Sequence, residues 1–253
     1  MMNIIAAIKV VCDDQDITVA ADGTLDTSKA PAVISSYDLN ALEAAAQLAQ
    51  ANEGSHVTAL SVSAAKADDS KLKKNICARG VDELVLVADD AAAGFDSFAT
   101  ANALGDKIAE MGAFDIVICG DGSADIYAQQ VDVQLACKLG VPSVNGVVAI
   151  EAGEGCVKVT RKLEDTVEHV ELPCPCVVSV TPDIALPRIP GMKDILKAGK
   201  KPMDVSALSA KYALATQTVE VKAPEQAARK LEVMDAVDDG AIEKFAAALK
   251  AAL

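Results

Sequence analysis

Basic charge, histidine, paired cysteines and long apolar runs are all scarce in this 253-residue chain, and each shortage removes a class of function. Lys plus Arg number 23 against 37 Asp plus Glu, a net charge of −14 at pH 7. So acidic a chain repels phosphate backbones, and no nucleic acid partner is expected. No stretch of about 20 residues runs without charge or proline, so no membrane-spanning helix is legible and no membrane insertion is expected. Residues Met1 to Val11 place Lys9 inside an apolar stretch without a basic leader or a small-residue cleavage site. No signal peptide is read there, and a cytoplasmic location is expected.

Catalytic side chains are equally thin. Histidine is limited to His56 and His169, neither beside a nucleophile in sequence. No Gly-x-Ser-x-Gly elbow, phosphate-binding Gly-x-x-x-x-Gly-Lys loop or His-Glu-x-x-His helix occurs, so no catalytic set is expected. The seven cysteines (Cys12, Cys77, Cys119, Cys137, Cys156, Cys174 and Cys176) contain no Cys-x-x-Cys pair. Cys174-Pro175-Cys176 lacks the second pair or nearby histidine that a tetrahedral metal site requires, and no metal is expected. The thiols read as reduced, small apolar fillers.

What the chain does have is alternation. Asn3 to Val11 is a nearly continuous apolar run rich in β-branched residues, as a strand buried on both faces should be. Tyr37 to Gln50 has apolar residues at helical spacing, Val57 to Val62 reads as a strand, and Ser70 to Ala78 as a helix ended before Gly80. Glu83 to Val87 supplies another strand, Ser97 caps a helix through Met111, and Phe114 to Cys119 is a strong strand. Gly120-Asp121-Gly122-Ser123 then opens a helix expected from about Asp125 to Leu139. This rhythm predicts an α/β fold: an open, mostly parallel Rossmann-like sheet with right-handed crossovers.

After Pro142 the pattern changes. Val157–Leu163 and Val167–Leu172 flank Glu164-Asp165-Thr166, a β-hairpin excursion, and Val177–Thr181 is a further strand. Three prolines between Pro182 and Pro190 predict an irregular surface loop carrying exposed Ile189 and Met192 ahead of Lys193, Lys197, Lys200 and Lys201. An apolar tip on a stiff loop suits partner docking. Residues 1–202 are thus expected to form one α/β domain. Residues 203–253 read as an extended C-terminal arm ending in an amphipathic helix from about Asp239 to Ala252, with Ile242, Phe245, Ala246 and Leu249 on one face.

Nucleotide binding is the best-supported chemistry from residues alone. A strand feeding Gly120-Asp121-Gly122-Ser123-Ala124-Asp125 and then a helix places free backbone N–H groups where an anion can sit, and glycine lets a phosphate come close. Ser35-Ser36-Tyr37-Asp38 lies at a second helix start, and in such a sheet these starts converge at the carboxyl ends of the strands. An ordinary turn and cap remain the alternative for each segment taken alone.

Several segments carry a resemblance that extends over nearly the whole chain. Val-Ser-Val-Thr-Pro-Asp-Ile (178–184), Pro187-Arg188, Lys-Asp-Ile-Leu-Lys-Ala-Gly-Lys-Lys-Pro (193–202), Ile-Lys-Val-Val (8–11), Tyr37-Asp38 and Asp125-Ile-Tyr-Ala-Gln-Gln-Val131 resemble the β-subunit of electron-transfer flavoproteins. The likeness is greatest to the bacterial branch associated with carnitine or acyl-CoA metabolism and nitrogen fixation. The resemblance implies an adenine-nucleotide α-hydrolase-like fold and a heterodimer with an α-subunit. FAD would be held mostly by that α-subunit, with AMP or a second FAD buried in this chain and an acyl-CoA dehydrogenase or similar flavoenzyme as electron partner. It implies an electron carrier, not an enzyme. Carried over by position, cofactor contacts fall on Ala7, on Ser35, Ser36, Tyr37 and Asp38, and on Val62. They continue over Gly120, Asp121, Gly122, Ser123, Ala124 and Asp125, then Ile126, Tyr127, Ala128, Gln129, Gln130 and Val131. Tyr37 would lie near the flavin ring, Ile189 and Met192 would present the docking tip, and the C-terminal arm would wrap the α-subunit. Asp121 and Asp132 stand where many members have a basic residue and a glycine, which leaves phosphate charge to backbone amides and the helix dipole. Two other readings stay open: a stand-alone adenine-nucleotide sensor, and an ATP-dependent ligase or pyrophosphatase. The latter should carry Ser-Gly-Gly after the first strand, where Val10-Val11-Cys12-Asp13 stands.

Overall fold

The computed structural model describes residues 1–225 and 231–252. In chain order the first elements are β1 (Asn3–Ala7), β2 (Val10–Cys12), β3 (Thr18–Val19), β4 (Leu25–Asp26), β5 (Ala32–Ile34) and α1 (Ser36–Ala51). They are followed by β6 (His56–Ser63), α2 (Ser70–Cys77), β7 (Glu83–Ala88), α3 (Ser97–Met111), β8 (Ile116–Gly120) and α4 (Val131–Leu139). Then come β9 (Ser143–Ala152), β10 (Cys156–Lys162), β11 (Val167–Pro173), β12 (Cys176–Val180), α5 (Met192–Ala198), β13 (Met203–Ser206) and α6 (Ala241–Ala252).

Nine strands form one sheet in the order β11-β10-β9-β12-β8-β1-β6-β7-β13. All neighbours are parallel except β9–β10 and β10–β11, the predicted hairpin excursion. The expected open, mostly parallel α/β sheet is therefore the observed one. Its strands alternate between two cores, since successive side chains leave opposite faces. Ile4, Ala6, Ile116 and Ile118 meet Leu42 and Ala45 of α1 and Ile76 of α2 on one face. Ile5, Ala7, Val117 and Cys119 meet Leu104 and Ile108 of α3 and Leu135 of α4 on the other.

The chain divides into two compact units, one of residues 1–18 and 26–220 and a smaller one of residues 19–25 and 221–253. In the larger unit, β13 adds to the sheet edge beside β7, and the residues after it are tied to α3: Tyr212 hydroxyl donates to Asp106 at 3.1 Å and stacks edge-on against Phe95. The first part of the stretch read as an arm thus belongs to the α/β unit. In the smaller unit, Ile242, Phe245 and Leu249 of α6 are exposed along one face. Residues 226–230 and 253 of that stretch lie outside the described residues.

Several boundaries differ from the sequence reading, each for a local reason. Strand one ends at Ala7; Val10–Cys12 turns away to pair antiparallel with Ala32–Ile34, a ribbon of its own. Asp96, not Ser97, caps α3, its carboxylate accepting from Ala99 N at 2.8 Å. The helix expected from about Asp125 begins only at Val131, because Tyr127 and Gln129 occupy left-handed backbone at φ 52° and 54° and break the turn. No helix among the described residues is long and apolar enough to cross a membrane.

Candidate functional site

The sheet order reverses at β1. From there β6 and β7 follow on one side, while β8 lies on the other, so a crevice opens beyond the carboxyl ends of β1 and β8. A cleft of about 890 Å³ occupies that position, within the range typical of small-molecule sites. Its floor comprises Ala7, Ile8, Lys9, Asp38 and Cys119 to Ser123, and one wall comprises Gly94 to Phe98 with Thr100 and Leu104. The opposite wall is Ile126, Ala128 to Asp132 and Gln134, and residues Leu214 to Thr218 close the rim.

Asp38 fastens the floor. Its carboxylate accepts from Lys9 N at 2.7 Å and Gly120 N at 3.2 Å, joining the ends of β1 and β8 to the first turn of α1. The side chain is fully enclosed, and burial pushes its carboxyl up to about 7 against the opposing pull of those two amides, of Ser35 and of the Lys9 charge. Gly120 is required here for space: a Cβ would lie 2.6 Å from Asp38 Oδ1 and about 3 Å from the Tyr37 backbone.

Ser35 stands at the N-cap of α1, yet its hydroxyl caps nothing in that helix and accepts instead from Ala124 N at 3.2 Å. This bond joins the two loops that the sequence singled out. Lys9 Nζ reaches the same loop, 2.7 and 2.8 Å from the Asp125 carboxylate oxygens. Ser123 hydroxyl donates to Asp125 Oδ1 at 2.5 Å and Ile126 N donates to it at 2.9 Å. Burial raises the Asp125 carboxyl, and the hydrogen bonds from Lys9 and Ser123 outweigh it, holding it below its ordinary value. Tyr127 hydroxyl donates to Asp121 Oδ2 at 2.9 Å, its ring 4.9 Å from that of Tyr37. The Tyr127 ring sits over Gly122, where a Cβ would come within 2.5 Å of it.

Charge in the cleft is lopsided. Among the described lining residues Lys9 is the one cation, against Asp38, Asp96, Asp121 and Asp132. Three of these acids are spoken for: Asp38 accepts from Lys9 N and Gly120 N, Ser179 hydroxyl donates to Asp132 at 2.6 Å, and Asp96 Oδ2 accepts from Ala215 N, Thr216 N and Thr216 Oγ1. Asp121 Oδ1 is enclosed without a partner. The start of α4 lies six residues later than the sequence placed it, with Asp132 in its first turn. Its N-cap, Gln130, makes no side-chain cap bond, so the first-turn amides have no intrahelical acceptor. Phe95, Phe98, Leu104 and Leu214 supply an apolar wall suited to a flat aromatic ring.

Of the residues assigned by sequence, Ala7, Asp38, Gly120 to Ser123, Ile126 and Ala128 to Val131 line the cleft. Ser35, Ala124, Asp125 and Tyr127 are outside the lining and brace its loop by hydrogen bonds. Ser36, Tyr37 and Val62 stand outside the lining: Ser36 is exposed and Val62 is buried. Sequence reading missed Lys9, the α3 start and Leu214 to Thr218. The capping position before α3 was the available signal for Asp96; nothing in residues 214–218 marked them.

Both histidines lie elsewhere. His56 Nε2 is 3.2 Å from Glu83 Oε1 at the start of β6, and His169 Nδ1 is 3.0 Å from Thr160 Oγ1 in the hairpin. All seven cysteines are free, and burial pushes Cys77 up to about 11 and Cys176 up to about 12, which makes both inert as nucleophiles. No cluster among the described residues has the composition of a metal site.

The apolar tip stands away from the cleft. Leu186, Ile189 and Met192 are 91%, 94% and 86% exposed. Beneath them the loop is anchored: Arg188 Nε and its second terminal nitrogen meet both Glu43 oxygens at 2.6 and 3.0 Å, and Asn40 Nδ2 donates to Ala185 O at 2.8 Å. Burial raises the Glu43 carboxyl, and the Arg188 and Gln47 hydrogen bonds outweigh it, leaving it below its usual value.

Compared with known families, residues 22–211 match the model of the electron transfer flavoprotein domain. That match spans most of the chain, so the chain belongs to this family.

Proposed function

From membership of the electron transfer flavoprotein domain family, we propose that this chain is the β-subunit of a heterodimeric electron-transfer flavoprotein. The family supports an electron-carrying flavoprotein role. The finer reading is that an α-subunit supplies most of the FAD site, that this chain holds an adenine nucleotide, AMP or a second FAD, and that an acyl-CoA-type dehydrogenase is the electron partner. The observation that carries it is the cleft at the sheet's switch point, with an uncapped helix start on one side and an aromatic wall on the other.

The residues present fit such a nucleotide. Amides at the α4 start and of Gly122 and Ser123 suit a phosphate, those of Gly120 and Asp121 being spent on Asp38 and on Val180 O. Asp121, with one enclosed oxygen lacking a partner, suits a ribose hydroxyl, and the Phe95–Phe98 wall suits adenine. FAD, when bound, is the group that takes up and gives back electrons. This chain's own side chains bind, orient and exclude water; Tyr37, braced against Tyr127, is proposed to face the flavin of the α-subunit. Ile189 and Met192 are proposed to seat on the dehydrogenase, since a stiff, anchored loop loses little entropy on docking. The exposed face of α6 is proposed to cover part of the α-subunit.

Co-expression with an electron-transfer flavoprotein α-subunit tests this. A 1:1 complex that retains yellow FAD through gel filtration, and releases AMP or a second FAD from this chain on denaturation, is the expected result. A chain that ignores the α-subunit and releases ATP would overturn it in favour of a nucleotide sensor.

A further inference from the structure

We infer that Lys9 is a shared counter-ion: it pairs with Asp125 when the cleft is empty and transfers to the nucleotide phosphate on binding, so that Asp125 competes with the ligand. This rests on the reading of the cleft as a nucleotide site. Three observations carry it. Lys9 is the single cation among the described lining residues, in a cleft with four aspartates, so a phosphate entering it has one side-chain partner of opposite sign. The Lys9–Asp125 pair is partly exposed, with 37% and 39% of the two side chains open to solvent, so parting it strips no fully buried charge. Asp125 also keeps other donors when Lys9 leaves, because Ser123 hydroxyl and Ile126 N both already reach Oδ1.

The lysine is suited to such a move. A flexible four-carbon stem lets its ammonium swing several ångströms without disturbing the backbone, while the Lys9 main chain stays fixed by Asp38 on one side and by its carbonyl bond from Ser35 N on the other. The backbone position is rigid and the charge is mobile.

Competition makes a prediction that a purely structural latch does not. If the pair merely held the 121–130 segment in shape, breaking it from either side would weaken binding alike. If the pair competes with ligand, the two sides act in opposite directions. Calorimetric titration of the full chain with AMP is expected to show Lys9→Met binding at least tenfold more weakly, as loss of one charge-assisted bond should. Asp125→Asn should bind about threefold more tightly, and Lys9→Arg should keep most of the affinity. The affinity of Lys9→Met should also depend less on salt than that of the parent. Equal weakening by Lys9→Met and Asp125→Asn would overturn the shared counter-ion and leave a structural latch. Absence of AMP or FAD binding by the parent chain would overturn the nucleotide reading itself, which separates the two failures.

Discussion

Gly120→Ala is expected to destabilise the fold by about 3 kcal/mol and to empty the cleft of nucleotide. The added methyl would sit 2.6 Å from Asp38 Oδ1 and 3.0 Å from the Tyr37 carbonyl carbon. One is an enclosed carboxylate held by two amides, and the other is backbone, so neither can yield as the tip of a surface side chain would. Overpacking of this kind costs about 1–3 kcal/mol, and losing the Gly120 N–H bond to Asp38 adds a buried unsatisfied donor of similar cost. Because the same contact joins β1, β8 and α1, the damage reaches both loops of the site. Urea denaturation gives the stability change, and nucleotide content of the purified variant gives the binding loss. A variant with parental stability and full nucleotide content would mean that the floor is looser than its geometry.

Glu43→Ala should be nearly as damaging, and in a different place. Glu43 is buried in α1 and receives the backbone N, Nε and one terminal nitrogen of Arg188, so its removal leaves a half-buried guanidinium without its carboxylate. Breaking such a pair costs about 3 kcal/mol. The loss also frees the base of the Leu186–Met192 loop, so, on the proposal that this loop docks on a dehydrogenase, electron exchange with that partner should slow beyond what instability explains. Adding Arg188→Met to Glu43→Ala removes the unpaired charge and should restore part of the stability, without restoring exchange. If the double variant recovers both, the ion pair matters only for folding and has no part in presenting the loop.

How much of this was written in the residues varies with the physics at each place. β1 and β8 were legible because a parallel strand buried on both faces must be almost uniformly apolar, as Asn3–Ala7 and Ile116–Cys119 are. β9 was missed because Asn145-Gly146 interrupts its apolar run, and β13 because Met203–Ser206 is short and polar and gains strand form from pairing with β7. α5 was hidden behind Pro190-Gly191, where the proline signal for a loop outweighed the helical spacing that follows.

The site shows the same division. Glycines 120 and 122 marked the loop between β8 and α4, and the structure shows that only glycine fits beneath Asp38 and Tyr127 there. The start of α4 was misplaced because Ser123 and Asp125 look like helix-opening residues, whereas their side chains bond to one another and to Lys9. Lys9 itself read as one charge inside a strand. Its role depends on a contact with residue 125, far along the chain, and local patterns cannot carry that. The same holds for Leu214–Thr218, which reach the rim through Asp96.

The central claim is that adenine nucleotide occupies the cleft between the ends of β1 and β8. Photolabelling the complex with 8-azido-AMP and sequencing the modified peptides tests this most directly. The account predicts label in residues 95–104 or 121–134, suppressed by unlabelled AMP or FAD. Specific label at the opposite end of the sheet would contradict it, for instance around Met111 and Phe114 beside the smaller cavity of about 310 Å³.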